Sequence, residues 1–505
     1  MMMGTSAGAT NIEDVFSAYT YTGTGATQSN VNGINLSTKG GLAWIKSRSD
    51  AGTSHHLFDT IRGATKRIYS NLANAESTAA DTLTAFNSNG FTLGTDAAGG
   101  DVNASARTYV GWSFAKQANF FDIVTYTGNG SNRTIAHSLG SVPGMIIVKR
   151  TDTAGAWMVY HRSLTSNAYY LVLNTTAAEA SGATAWNSTT ADASVFSLGI
   201  HVDVNANGGT YVAYLFAHDT SSTGLIQCGT FTTDASGNAT VTLGWEPQYV
   251  IYKRIDGIDS WRVQDITRNM PATANSASLL LANTSGADSD GNRGPFPTAT
   301  GAYFGGYAAS QTFIYLAIRR GPMAQPTSGT QVYFSKIRTG NNAQVTVTGG
   351  GFPSDLLITQ NREGSGPRFL DRLRGGGQYI NSTNTGAEGT ATADAVVTFL
   401  MDGYSVGADT FDGYINYLNR LFVNHFFRRY PGVFDEVCYT GTNVAKTETH
   451  NLTVVPELII VKNRTAAVGD ANWTVYSSTL GSGFYIRLNT TSAKLTTDAT
   501  YWNST

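Results

Sequence analysis

The chain has 505 residues, more than one hydrophobic core commonly spans, so several domains are expected. With 41% apolar residues it can build cores, which excludes a disordered chain, and a net charge of −2 without runs of like charge leaves no field for nucleic acid or anionic lipid. Two cysteines, Cys228 and Cys438, exclude a disulfide framework and a CxxC metal or redox site, and read as core-filling thiols.

In chain order, residues 1–16 ("MMMGTSAGATNIEDVF") read as an N-terminal arm. The arm lacks the basic-then-apolar order of a secretion signal, and nothing downstream approaches the roughly eighteen apolar residues that cross a bilayer, so a soluble protein is expected. After it the chain repeats about every hundred residues. Pro143, Lys149 and Trp157 are answered 104 positions later by Pro247, Lys253 and Trp261. The boundaries fall at 17–121, 122–222, 223–327, 328–432 and 433–505. Repeats open on similar phrases ("TYTGTG" from Thr20, "TYTGNG" from Thr125, "CYTGTN" from Cys438) and close on others ("TYVGWSF" from Thr108, "TYVAYLF" from Thr210).

In the second repeat, strands are predicted over 122–126, 145–150, 157–161, 169–173, 195–200 and 211–216. Each is short, rich in Val, Ile, Tyr, Phe and Thr, and bounded by Gly, Asn, Ser or Pro. Only "ADAVVTFLMDGY" and "INYLNRLFVNHFFRR" come near helical periodicity, and both sit where other repeats place strands. The fold class is therefore all-β: tandem antiparallel β-sandwich domains, jelly-roll or lectin-like in architecture, laid out as a row. The fifth repeat stops at "TYWNST", where the second continues from "TAWNST" through two more strands, so 433–505 reads as a partial domain of a longer chain.

A D-x-x-R pattern recurs as Asp59/Arg62, Asp265/Arg268 and Asp371/Arg374, with His161 in the Asp position of the second repeat. A carboxylate beside a guanidinium could grip sugar hydroxyls, but an ion pair fixing a turn is the expected role. Trp157, Trp261 and Trp473 share one position and read as core anchors rather than sugar-stacking platforms. "GADSDGNRG" spaces Asp288, Asp290 and Asn292 like calcium ligands, yet lacks the closing Glu and reads as a turn. The scattered histidines form no metal motif, and His137 and His450, at one repeat position, predict a turn-stabilising hydrogen bond. Arg420, Arg428 and Arg429 among aromatics read as a contact between domains or subunits. No P-loop or G-x-S-x-G elbow is present, and no catalytic residue, cofactor or metal is expected.

The phrases "LAWIKSRSDAGTSHHLFDTIRG" and "HSLGSVPGMIIVKR…WMVYHRSL…LVLNTT…WNST…YVAYLFA" resemble a repeat of virion structural proteins from tailed bacteriophages. The resemblance is carried well by repeats one, two and five and more faintly by three and four. It implies a non-enzymatic tail fibre or adhesin, made in the host cytoplasm and anchored by its N-terminal part. Its partners would be other virion proteins, further copies of itself (a trimer being the fibre-like arrangement) and host surface polysaccharide. A capsid-decoration, head-fibre or baseplate protein binding only virion partners is the alternative. A glycan-degrading tailspike ranks last, because no carboxylate pair recurs among the repeats.

Overall fold

The computed structural model describes residues 10–505 except 98, 272–276, 292, 322, 325, 365, 393–394, 396, 411–412, 414, 466–470, 497–500 and 503–505. Its sheets are antiparallel throughout, as the short β-branched and aromatic runs predict. In the second repeat the predicted strands appear as Phe121–Thr127, Pro143–Arg150, Trp157–His161, Tyr169–Val172, Val195–Leu198 and Thr210–Ala217. Two strands unmarked by the sequence join them, Arg133–Ala136 and Ala180–Ser181, too short and too polar to stand out.

The six-stranded sheet runs Phe121–Thr127, Thr210–Ala217, Pro143–Arg150, Trp157–His161, Tyr169–Val172, Ala180–Ser181, so the repeat's last strand lies between its first and its "MIIVK" strand. Arg133–Ala136 pairs Val195–Leu198 as a second layer. Repeats one, three and four keep the same order of six, with a three-stranded second layer. The two helix-like phrases yield the strands Val397–Leu400 and Leu421–Phe427. The glycine of the opening phrase is explained by a close approach: a Cβ on Gly128 would lie 2.2 Å from the Ala206 carbonyl oxygen, and one on Gly23 equally near that of Ala104.

Two compact units divide the chain, Met1–Met270 with Ser276–Met323, and Pro271–Asn275 with Ala324–Thr505. The first holds repeats one to three, tandem sandwiches as expected, whose large sheets also share a core. Each large sheet has two apolar faces. One packs on the repeat's own small layer, as in the cluster of Ile45, Phe58, Phe91 and Tyr109. The other joins a core common to all three repeats, where Phe114 packs 5.5 Å from Phe216 and 6.0 Å from Tyr249, and Phe16 lies 5.3 Å from Tyr249. That is why "MIIVK" runs apolar rather than alternating: Pro143–Arg150 is covered on both sides. Cys228 fills this core as predicted, and a Cβ on Gly144 would stand 2.7 Å from its sulfur. Cys438 is half-buried.

In the second unit, repeat four keeps its own inner core around Leu357, Phe399, Tyr404 and Phe426. Repeat five forms one sheet of Leu458–Val461, Thr474–Ser477, Phe484–Arg487 and Leu495–Thr496.

Candidate functional site: the junctions between repeats

The recurrent polar residues converge on the seams where one repeat meets the one before it. Trp157 donates its indole N–H to the carbonyls of Tyr69 and Leu72 in repeat one, at 2.8 and 3.0 Å. Trp261 donates to Val172 of repeat two and Trp473 to Asn381 of repeat four, both at 3.0 Å. Tyr69, Val172 and Asn381 hold the same ladder position in their repeats. All three indoles are buried, so the core-anchor reading holds, with a bond to the neighbouring repeat added.

Repeat one has no tryptophan there; His55 takes the position. Its Nδ1 faces the Trp44 indole N–H at 3.0 Å and its Nε2 faces the carbonyl of Leu281 in repeat three at 3.1 Å. The Trp44 donor fixes Nδ1 as acceptor and leaves the Nε2 proton for Leu281. Repeats one, two and three thus bond in a closed cycle: two to one, three to two, one to three.

The D-x-x-R pairs lie on the same seams. Asp59 accepts the backbone N–H groups of Ile61 and Arg62 and binds the Arg62 guanidinium at 2.5 Å, fixing a turn after its strand. Arg62 also reaches Glu76 at 3.2 Å and the Leu57 carbonyl at 3.0 Å. Asp265 and Arg268 pair at 2.7 Å, and Arg268 continues to Asp288 at 2.7 Å. Asp371 and Arg374 pair likewise, Arg374 continuing to Glu388 at 3.1 Å. The expected turn-fixing pair is therefore two-thirds of a carboxylate–guanidinium–carboxylate triad. The third member, 14 residues past the Arg in repeats one and four, was legible as a constant spacing, although Asp288 stands 20 past Arg268.

Two of the triads receive a donor from another repeat. The Tyr214 hydroxyl of repeat two donates to Asp59 at 2.7 Å, and the Trp112 indole of repeat one donates to Asp265 at 2.9 Å. In the second repeat His161 stands at the Asp position, and its Nε2 meets the Tyr315 carbonyl of repeat three at 3.0 Å. Its Nδ1 accepts from the Ser163 N–H, so Nε2 carries the proton. Burial drives its pKa from the usual 6.5 down to about 3, which keeps the ring neutral. Burial also lowers Lys46, Lys149 and Lys253, one per repeat, to about 8. Each ammonium donates to the carbonyl of the next residue, and that of Lys253 also to Thr176 in repeat two.

The outer carboxylates close the seam. Asp288 binds Arg48 of repeat one at 2.6 Å, and Glu388 binds Arg464 of repeat five at 2.9 Å. The backbone N–H at this position reaches another repeat in repeats one to four: Glu76 to Thr151, Glu179 to Ile255, Asp288 back to Arg48 and Glu388 to Arg464. Repeat five has Lys494 at the same place, immediately before Leu495–Thr496, and the lysine is exposed over the Phe484 ring.

Asp288 is thus a seam residue; of its two partners in the calcium-like phrase, Asn292 lies outside the described residues and the Asp290 side chain is not described. Among the described residues no cluster of three or more potential metal ligands occurs. His137 and His450 each accept a backbone N–H two residues on, the predicted turn bond. Of the arginines among aromatics, Arg429 pairs with Asp435 where repeat four passes into five, Arg420 with Glu363 in the open, and Arg428 lies over the Tyr430 ring. Sequence reasoning missed His55 and three buried asparagines, Asn103, Asn205 and Asn416, whose amides tie the ends of loops in repeats one, two and four.

The fold and seams define an all-β repeat protein whose recurrent polar residues join one repeat to the next. The chain belongs to the family described as a domain of unknown function, DUF7483, matched over residues 12–319 and 329–505. The first match spans the three repeats of the closed cycle, and the break falls at the border between the two units. No curated protein and no solved structure matches the chain.

Proposed function

We propose that the chain is a non-enzymatic structural component of a bacteriophage virion, a tail fibre or adhesin anchored by its N-terminal part. The observation that carries the non-enzymatic part is the use made of Asp59/Arg62, Asp265/Arg268 and Asp371/Arg374. All six are buried or nearly so and bonded to strand, turn or neighbouring repeat. The phage assignment rests on the repeat phrases. Immunogold microscopy of virions tests it: labelling along the tail is expected, and labelling confined to the head sinks the tail-fibre assignment. Saturable binding of labelled protein to host cells or surface polysaccharide is the expected adhesin result.

A second reading, an architectural protein that binds only other virion proteins, is favoured by the seams, where the recurrent indoles and outer carboxylates are spent on protein contacts. Attachment to particles lacking the protein, without any host binding, selects it. Release of reducing sugar from host polysaccharide would overturn both readings.

A further inference from the structure

Repeat three sets polar side chains inside its own sandwich. Arg262 and Gln264 alternate along Arg262–Asp265 and so share a face, and the residues opposite them in the ladder, Tyr252 and Val250, belong to the apolar cluster under the repeat's small layer. Repeat two fills the same two positions with Met158 and Tyr160. Gln264 is fully buried, and its side-chain oxygen accepts from the Tyr252 hydroxyl at 3.0 Å. Its Nε2 and the Arg262 Nε are buried without an acceptor among the described residues, a costly state for a donor unless something meets it. A second guanidinium is near. Arg293 is exposed and lies 5.5 Å from the centre of the Tyr307 ring, whose hydroxyl meets that of Tyr252 at 2.8 Å. Burial raises the Tyr307 pKa well above 10, and Arg262 and Arg293 both oppose the rise, so both guanidiniums bear on one ring. Among the described residues the one carboxylate paired with either arginine is Asp259, 3.0 Å from Arg262. Two cations against one anion leave a single positive charge. Repeat one shows the same place filled: His56 stands where repeat three has Arg262, and the carboxylate of Asp101, bound by Arg67, comes to 3.7 Å from its Nε2. Asp101 lies in the loop between Gly90–Leu93 and Thr108–Ala115. The matching loop of repeat three, between Gly301–Phe304 and Thr312–Arg319, is shorter and carries no acidic residue.

We propose that Arg262, Gln264 and Arg293 form a binding site for a carboxylate, taken from a ligand where repeat one supplies Asp101. A carboxylate fits better than a phosphate on two counts. Its two oxygens match the two unmet donors, Arg262 Nε and Gln264 Nε2, and its single charge balances that of the site, where Asp259 would repel a second. Burial deepens from the exposed Arg293 through the half-buried Arg262 to Gln264, so the site is entered from water. Two sources offer the group, a uronic acid unit of a polysaccharide and a small free organic acid. The site stands without the adhesin reading; only the polysaccharide source rests on it.

Sodium glucuronate, sodium acetate and glucose, titrated into the full chain and followed by calorimetry, test the site. Saturable binding of glucuronate is expected, with none of glucose. Glucuronate at least about tenfold tighter than acetate identifies the sugar acid as the source, and an affinity no greater than that of acetate identifies the free acid. Arg262→Met introduces the residue repeat two carries, and Arg293→Ala alters an exposed side chain; each is expected to weaken glucuronate at least about tenfold. Should Arg262→Met lose the fold of the first unit, Arg293→Ala decides. Absence of saturable binding of both acids up to about 10 mM overturns the proposal, as does equal affinity in the wild type and folded Arg293→Ala, or glucose bound as tightly as glucuronate. Glucuronate binding by a chain that does not attach to host cells keeps the site and fails the adhesin reading alone.

Discussion

Two kinds of charge pair occupy this chain, and their burial separates them. Asp265 and Arg268 are shut off from solvent, and Asp265 also takes the Trp112 indole, so Asp265→Ala leaves the buried guanidinium only Asp288 as a carboxylate and strands the Trp112 N–H. The expected cost is about 3–5 kcal/mol, read as an earlier urea midpoint of the first unit. Arg420→Ala, breaking an ion pair open to water on both sides, is expected to cost under about 1 kcal/mol. The histidines give a pH signature. Burial holds His55, His56 and His161 below the ordinary 6.5, although Asp101 beside His56 opposes the shift. The unfolded chain therefore binds more protons than the folded one as the pH falls below about 6.5. Stability present above that value is lost on acidification, by up to about 1.4 kcal/mol per pH unit for each histidine. Thermal melts between pH 7 and 4.5 should show the loss, and His161→Gln, which keeps an N–H for Tyr315, should flatten the slope.

At the scale of elements, the seam tryptophans unite packing and hydrogen bonding in one side chain. Trp157→Phe keeps the aromatic bulk and loses the bonds to Tyr69 and Leu72, with an expected loss of about 1–2 kcal/mol; Trp157→Ala adds a cavity and should cost about 3–5 kcal/mol. Calorimetry of the two variants separates the terms. The strands were legible because "MIIVK", "WMVYH" and "YVAYLF" are β-branched or aromatic runs between turn residues. The turn-fixing pairs were legible because Asp and Arg keep a spacing of three. The partner repeat was not legible, since the indoles bond to main-chain carbonyls, which leave no mark in the side-chain pattern. His55 escaped because imidazole replaces indole there, alike in offering one N–H but unlike in letters. The closure of one to three was hidden by sequence distance: Trp112 and Asp265 stand 153 residues apart.

For the whole molecule, the shared core makes the first three repeats one cooperative unit, so truncation within it should unfold all three rather than shed one. Limited proteolysis is expected to cut near residues 320–329, between the family matches, and to leave the first unit intact by mass spectrometry. Lys494 bears on how copies of the chain meet. Repeat four carries an exposed Arg362 at the position of Arg48 and Arg464, the arginines that elsewhere pair with an outer carboxylate. Were repeat five to end its seam in Glu, the second unit of one copy could receive that of the next, and so on without closure, which is the geometry of a filament. A lysine there sets two cations against each other. Lys494→Glu should therefore convert a protein of defined mass into one that grows with concentration, visible by light scattering and reversed by salt.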